Sequence, residues 1–185
     1  MKQMHRQKPS AIKISPATKT LEDRSIRIEK LFGELNWDMA SINIHLENIR
    51  RIWAQVLGVS GPQWVILMAT NDLDKGPGVS VGDVAVKLHV QSTFVTAQSK
   101  MLEQSGLLSR RASPVDARIV LMSLTEKARR EIARLSVQRN TINEFIFADV
   151  SDTRLREVAE TLALIKRRIE KAASQLELDK NQPDN

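Results

Sequence analysis

The chain has 185 residues, 42% of them hydrophobic, enough for one substantial core and too little for a large multidomain enzyme. Twenty-eight basic residues against 22 acidic ones leave a net charge of +6, which favours a polyanionic partner. The absence of cysteine excludes disulfide frameworks, thiolate zinc sites and peroxide sensing through a thiol.

The basic excess is uneven. Residues 1–30 hold eight basic and three acidic side chains and residues 100–139 hold nine and four, whereas 31–99 and 140–185 are each net acidic by two. The central block is therefore the candidate electrostatic footprint. The start of the chain lacks the apolar stretch of a secretory signal. The longest apolar run, 64–69, is too short to cross a bilayer, so a soluble, cytoplasmic protein without a membrane partner is expected.

Residues 1–20 mix Lys, Pro, Ser and Thr without period and are expected to form a flexible basic tail, with a second flexible tail over 178–185. From 21 to 57 the pattern is helical, and Ile42, Leu46, Ile49, Trp53 and Val56 make one apolar stripe. Gly58 fits just past that helix. Ser60, Pro62 and Gln63 restart another as cap, first-turn residue and reach-back partner, turning Trp64, Leu67 and Met68 inward. Residues 71–78 are turn-rich. Ser80 with Asp83 opens a short helix carrying Val84, Ala85 and Leu88, and Gln91 or Ser92 caps a second one running through Val95, Ser99 and Leu102 to Gly106.

The period then changes, and 107–111 and 117–123 read as two strands around the loop 112–116, a β-hairpin with a basic tip. Thr125, or Ser123 with Glu126, caps a long helix with Ala128, Ile132, Leu135, Ile142 and Phe145 on its apolar side, broken at 149–151. The last helix places Leu155, Val158, Leu162, Ile165, Ile169, Ala172 and Leu176 at spacings that alternate three and four, a heptad seam. Such a seam needs a partner: the preceding helix, a second subunit, or both.

A helix, a short helix, a tight turn, a second short helix, a basic hairpin and then long helices give the layout of a winged helix-turn-helix, in a mainly α chain with a small β-hairpin wing. In such a unit the second short helix enters the DNA major groove, which is wide enough for it and exposes a distinct pattern for each base pair. With Val95, Ser99 and Leu102 inward, Thr93, Thr96, Ala97 and Lys100 project outward, and Gln91 and Ser92 start the helix where free amides can hold phosphate. Arg110, Arg111 and Arg118 gather at the hairpin with Asp116 to neutralise them, and guanidinium groups there suit a narrow minor groove. Asp116 reads as an ion-pair partner orienting Arg110 or Arg118 rather than as a catalytic acid.

These residues resemble the MarR family of transcriptional regulators. The matching segments are Gly106-Leu107-Leu108-Ser109-Arg110, Ser113-Pro114-Val115-Asp116-Ala117-Arg118 and Leu124-Thr125-Glu126-Lys127, with Gly58 to Trp64 looking like the entry to the family's second helix. The resemblance implies a homodimer formed through N- and C-terminal helices, with 21–57 and 125–177 as dimerisation helices around a DNA-binding domain over 58–124. It also implies a palindromic operator in double-stranded DNA, an Arg118 that enters the minor groove, and an Arg110–Asp116 bracing pair. Leu155, Val158, Leu162, Ile165 and Ile169 fall on the expected dimer interface. Ala117, Ala97 and Ala128 depart from the family pattern, and the segment 21–36 looks like an extra N-terminal helix that enlarges the dimer interface or covers a pocket.

The resemblance further implies an effector, a small aromatic carboxylic acid or its CoA thioester, that relieves repression. Trp37, His45, Arg50, Arg51, Trp53 and Trp64 offer a lining for it, with an arginine for an anionic ligand. Trp53 and Trp64 read first as plain core, and the two arginines first as a solvated face. No enzymatic activity and no cofactor are expected: His5, His45 and His89 are scattered without metal-ligand spacing, and no glycine-rich phosphate loop is present. The alternative class is a helical adaptor that binds partner proteins along the heptad seam.

Overall fold

The computed structural model describes residues 16–180, with side chains from 24 to 178. Along them run α1 (Pro16–Val56), α2 (Gly61–Leu73), β1 (Val79–Ser80), α3 (Val81–Leu88), α4 (Ser92–Gln104), β2 (Leu108–Ala112), β3 (Val120–Leu124), α5 (Glu126–Ile146) and α6 (Asp152–Lys180). The chain is mainly α with a small antiparallel sheet, and it divides at Thr125 into two units. Among the described residues no single helix is long and apolar enough to cross a membrane.

α1 is one helix of 41 residues. This corrects the expectation of a separate helix over 21–36, since neither a proline nor a turn cluster interrupts the helical pattern between 17 and 56. It begins at Pro16, a residue suited to a helix start because it brings no N–H to satisfy. Residues 16–20 and 178–180, expected in flexible tails, are therefore helical. The rest of both tails, 1–15 and 181–185, and His5 with them, lies outside the described residues.

In the first unit α2 is the hub, packing on α1, α3, α4 and β3. It starts with a capping box: the Gln63 amide donates to Ser60 Oγ at 3.3 Å and the Ser60 amide to Gln63 Oε1 at 3.0 Å. Trp64, Ile66, Leu67 and Ala69 are buried beside Trp53 and Ala54 of α1. The buried Thr70 hydroxyl donates to the Ile66 carbonyl at 2.8 Å, so no polar group is orphaned there. Of the stripe expected on α1, Trp53 is buried and Ile49 half-buried, whereas Ile42, Leu46 and Val56 are exposed.

The sheet has the order β1-β3-β2, with Val79 opposite Met122 and Met122 opposite Arg110. β1 escapes a reading by periodicity because two residues cannot display a period. Gly78, just before it, has φ +90°, and a Cβ there would meet Ser123 Oγ at 3.1 Å and Leu121 Cβ at 3.2 Å. Asp74 Oδ1 accepts from the amides of Gly76 and Gly78, both at 2.8 Å, which shapes the turn that delivers β1 to β3.

In the second unit α5 buries Ala128, Ile132 and Leu135, but its apolar side ends there: Ile142 is half-buried and Phe145 is 84% exposed. Ser151 starts α6, its hydroxyl accepting from the Arg154 amide at 3.3 Å. The α6 seam stays uncovered within the unit. Leu155 and Ile165 are half-buried, and Val158, Leu162, Ile169 and Leu176 are exposed.

Gly106, which ends α4 at φ +69°, has no atom near a built Cβ. Gly106→Ala should therefore cost only the left-handed backbone strain of about 1 kcal/mol, whereas Gly78→Ala adds the collision with β3 and should cost at least about twice that. Urea unfolding of the two variants measures the difference, and equal costs would mean that β1 does not press on β3 in solution.

Candidate nucleic-acid interface

The two short helices meet in a tight turn. α3 ends on His89 in the left-handed conformation (φ 54°), with the Val90 amide donating back to the Ala85 carbonyl at 3.1 Å. Its start is held by Ser80, whose hydroxyl accepts from the Asp83 amide at 3.0 Å and donates to Asp83 Oδ2 at 2.7 Å. Val84 and Ala85 are buried and Leu88 half-buried, as their spacing requires. An ion pair from Lys87 to Asp72 ties α3 back to α2, and the lysine's hydrogen bond and charge hold the Asp72 carboxyl below its ordinary range.

α4 buries Val95, Ser99 and Leu102 completely, which fixes the roll of the helix. Thr93, Ala97 and Lys100 are exposed and Thr96 is half-buried. Gln91 is the N-cap but its side chain makes no capping bond, and Ser92 is the first helical residue. The Phe94 amide donates to the Gln91 carbonyl at 3.0 Å, so the Ser92 and Thr93 amides are the ones left to solvent or an anion.

The wing strands differ from the expected boundaries. β3 begins at Val120, not 117, so Arg118 sits in a loop that spans 113–119 and is closed by the Ser113 amide donating to the Ile119 carbonyl at 2.8 Å. There Asp116 takes three hydrogen bonds from Arg118: its backbone amide and Nε on Oδ1, and Nη2 on Oδ2, each at 3.0 Å. These bonds, side chain first and backbone second, hold the Asp116 carboxyl below the ordinary carboxylate range, and the carboxylate raises the Arg118 guanidinium further. The Arg118 side chain is nevertheless 90% exposed.

The other arginines depart from expectation. Arg110 does not brace Asp116. Its guanidinium lies 3.6 Å from Glu103 of α4, its own backbone amide donates to Glu103 Oε1 at 3.2 Å, and its side chain is only 12% exposed. Its Nε is buried without an acceptor. Arg111 donates to the Pro77 carbonyl at 2.7 Å, anchoring the wing to the loop before β1. Asp116 is thus not the sole neutralising carboxylate, and Glu103 is a site residue that the sequence reading missed. No spacing rule links Glu103 to Arg110 across the turn at Gly106.

The parts converge on a groove of about 430 Å³ in which Ser80 and Gly82 of the α3 start, Ser92 and Thr96 of α4, and Arg110 and Arg118 of the wing share one lining. A smaller cavity of about 210 Å³ lies between Glu103, Arg110 and Arg111. Hydroxyls, an uncapped helix start and a braced guanidinium on one concave face can bind a phosphodiester backbone and reach base edges together. Thr93 and Lys100 lie on the same helix and Gln91 stands just before it, all exposed.

The six residues expected to line an effector pocket are not gathered in one subunit. Trp53 and Trp64 are buried as core, and Arg50 is half-buried and paired with Glu47 at 2.8 Å. His45 and Arg51 are exposed, and Arg51 reaches Asn48 at 3.5 Å. Trp37 is 75% exposed; 16 residues before Trp53, it stands roughly 24 Å away along α1 and about 160° around it.

Residues 59–120 match the family model described as MarR family. The uncharacterized HTH-type transcriptional regulator YdgJ of Bacillus subtilis (strain 168) is 27% identical over 150 residues, covering 75% of this chain and 90% of the relative. Among solved structures, the transcriptional regulator BldR from Sulfolobus solfataricus superposes with a TM-score of 0.59 at 29% identity, over 76% of this chain and 96% of its own. CouR from Rhodococcus jostii RHA1, bound to p-coumaroyl-CoA, superposes with a TM-score of 0.62 at 19% identity, over 71% and 90%, and shows the shared fold.

A carboxylate held low by its partner contributes wing order that is complete above its free value and is lost only as the pH falls through the depressed one. Asp116 should therefore titrate below an ordinary aspartate, and Arg118→Ala should return it upward. Carboxyl-carbon NMR reads both, and identical titrations in the two proteins would mean that the pair does not persist in solution.

Proposed function

The chain belongs to the MarR family of DNA-binding transcriptional regulators, not enzymes, and on that footing we propose that it is a homodimeric repressor released from a palindromic operator by a small aromatic carboxylic acid or its CoA thioester. The observation that carries the DNA-contact reading is the shared groove in which Thr96 and Arg118 stand on one face. In it α4 reads the major groove with Thr93, Thr96 and Ala97, while Gln91, Ser92 and Lys100 hold phosphates. Arg118, oriented by Asp116, enters the minor groove, and Arg110 and Arg111 fix the wing at its base.

In this reading 58–124 is the DNA-binding domain, and the helices over 21–57 and 125–177 join two copies. The α6 seam supports the pairing, because a 29-residue helix with a heptad stripe and no buried side chain among its described residues leaves its apolar face to another chain. Two copies would present two α4 helices about 34 Å apart, and an effector that favours a different spacing would shift the population away from DNA. The effector class is supported by the p-coumaroyl-CoA held by CouR, an aromatic thioester. Arg50, half-buried on α1 and paired with Glu47, or the exposed Arg51 would supply the cation for its carboxylate or phosphates.

The purified chain, titrated against its own upstream DNA, should bind with log affinity falling linearly in log salt, and Arg118→Ala should reduce that slope by about 0.9 for each Arg118 lost, about 1.8 for the dimer. Aromatic acids and their CoA esters should then release the DNA, and DNA should weaken effector binding by the same factor. Binding absent at low salt sinks the DNA-contact reading; unequal factors sink the effector mechanism.

Leu162→Glu should place a charge in the α6 seam and convert the dimer to a monomer in analytical ultracentrifugation. DNA affinity should fall with it while helicity by circular dichroism is retained. A dimer that survives the substitution would move the interface elsewhere.

A further inference from the structure

The wing tip carries a feature that neither phosphate binding nor folding uses. Val115 is 94% exposed, the most exposed large apolar side chain among the described residues, and it stands three residues from the 90%-exposed Arg118. The loop holding it is not slack. Pro114 fixes the backbone before it, the Val115 amide donates to Ser113 Oγ at 3.3 Å, and the loop is closed by the bond from Ser113 to Ile119. Both Asp116 carboxylate oxygens are already engaged by Arg118. The two side chains that project furthest at the tip are therefore a guanidinium, which only donates, and a branched side chain that neither donates nor accepts.

We propose that Val115 makes the wing selective for A·T pairs by leaving the guanine 2-amino group without an acceptor. The inference rests on the reading that the wing enters the minor groove, and it adds a residue and a mechanism of base choice to it. In that groove A·T and T·A expose only acceptors, whereas G·C adds the amine as a donor in the middle of the floor. Acceptors on the floor suit Arg118. A side chain like Val115 displaces water from the floor without replacing its hydrogen bonds. The floor acceptors are common to all pairs and can be taken up by Arg118, so the difference lies in the extra donor of G·C, which is left unsatisfied at a cost. The guanidinium of Arg118, a cation that cannot accept, gives the amine no relief.

The probe is a duplex selected from a random pool by the full-length protein, with the pairs under the wing identified as those whose contribution disappears in Arg118→Ala. At such an A·T pair, G·C should weaken binding at least about fivefold, and inosine·C should restore it, because inosine keeps the major-groove edge of guanine and lacks the 2-amino group. Val115→Thr, nearly the same shape with one added hydroxyl acceptor on an exposed loop, should shrink the G·C penalty at least about threefold and leave the A·T affinity within about twofold. Inosine·C as weak as G·C, a penalty unchanged in Val115→Thr, or G·C pairs selected under the wing would each overturn this inference while the DNA-contact reading stands. A protein that selects no duplex at all would end both.

Discussion

Strand β3 is the member on which the arrangement of the reading surfaces depends, because it is paired on both sides. Ser80, Leu121 and Arg111 form one row across the sheet, and Val79, Met122 and Arg110 the next. The residue that caps α3 and the residue that anchors the wing thus stand in one hydrogen-bonded register, about two strand spacings, or roughly 9.5 Å, apart. Met122, fully buried in the middle of its row, keeps that register from slipping, since a shift by one residue would turn it to solvent. The close passage of Gly78 over Leu121 and Ser123 is the local condition for this pairing.

On that frame the three wing arginines divide the work between them. Arg111 is spent on the Pro77 carbonyl and acts as a structural tie. Arg110 lies deep between α4 and the wing, paired with Glu103 and retaining one donor without an acceptor, the kind of unsatisfied group that native proteins keep mostly where a site requires it. Arg118 alone is projected, and its carboxylate partner sits two residues away in the same loop, so its direction is set locally. A substitution elsewhere in the fold leaves that direction intact so long as the loop closes.

Much of this surface was legible in the sequence where a local rule sufficed. The Ser60–Gln63 box, the Ser80–Asp83 start, the inward set Val95, Ser99 and Leu102 and the order of helices and wing follow from capping chemistry and period, which act within one or two turns. What was not legible is tertiary. Arg110 could have met Asp116 or Glu103, and only the turn of the chain at Gly106 decides it. β1 is defined by its pairing with β3 and has no signature of its own. The effector lining grouped residues by helix, and the pitch of a single uninterrupted α1 carries Trp37 away from the others.

That continuity of α1 has a mechanical consequence. A helix without a break has no joint, so its part rooted among Trp53, Trp64 and Leu67 and its distant stretch at Ile26 move as one lever. The arm from Ile26 to Trp53 is roughly 40 Å, and a tilt of about 5° at the root displaces Ile26 by about 3.5 Å. A small rearrangement of the tryptophan packing is thereby magnified into a translation comparable to the width of a methylene-lined contact, delivered at a distance from where it began.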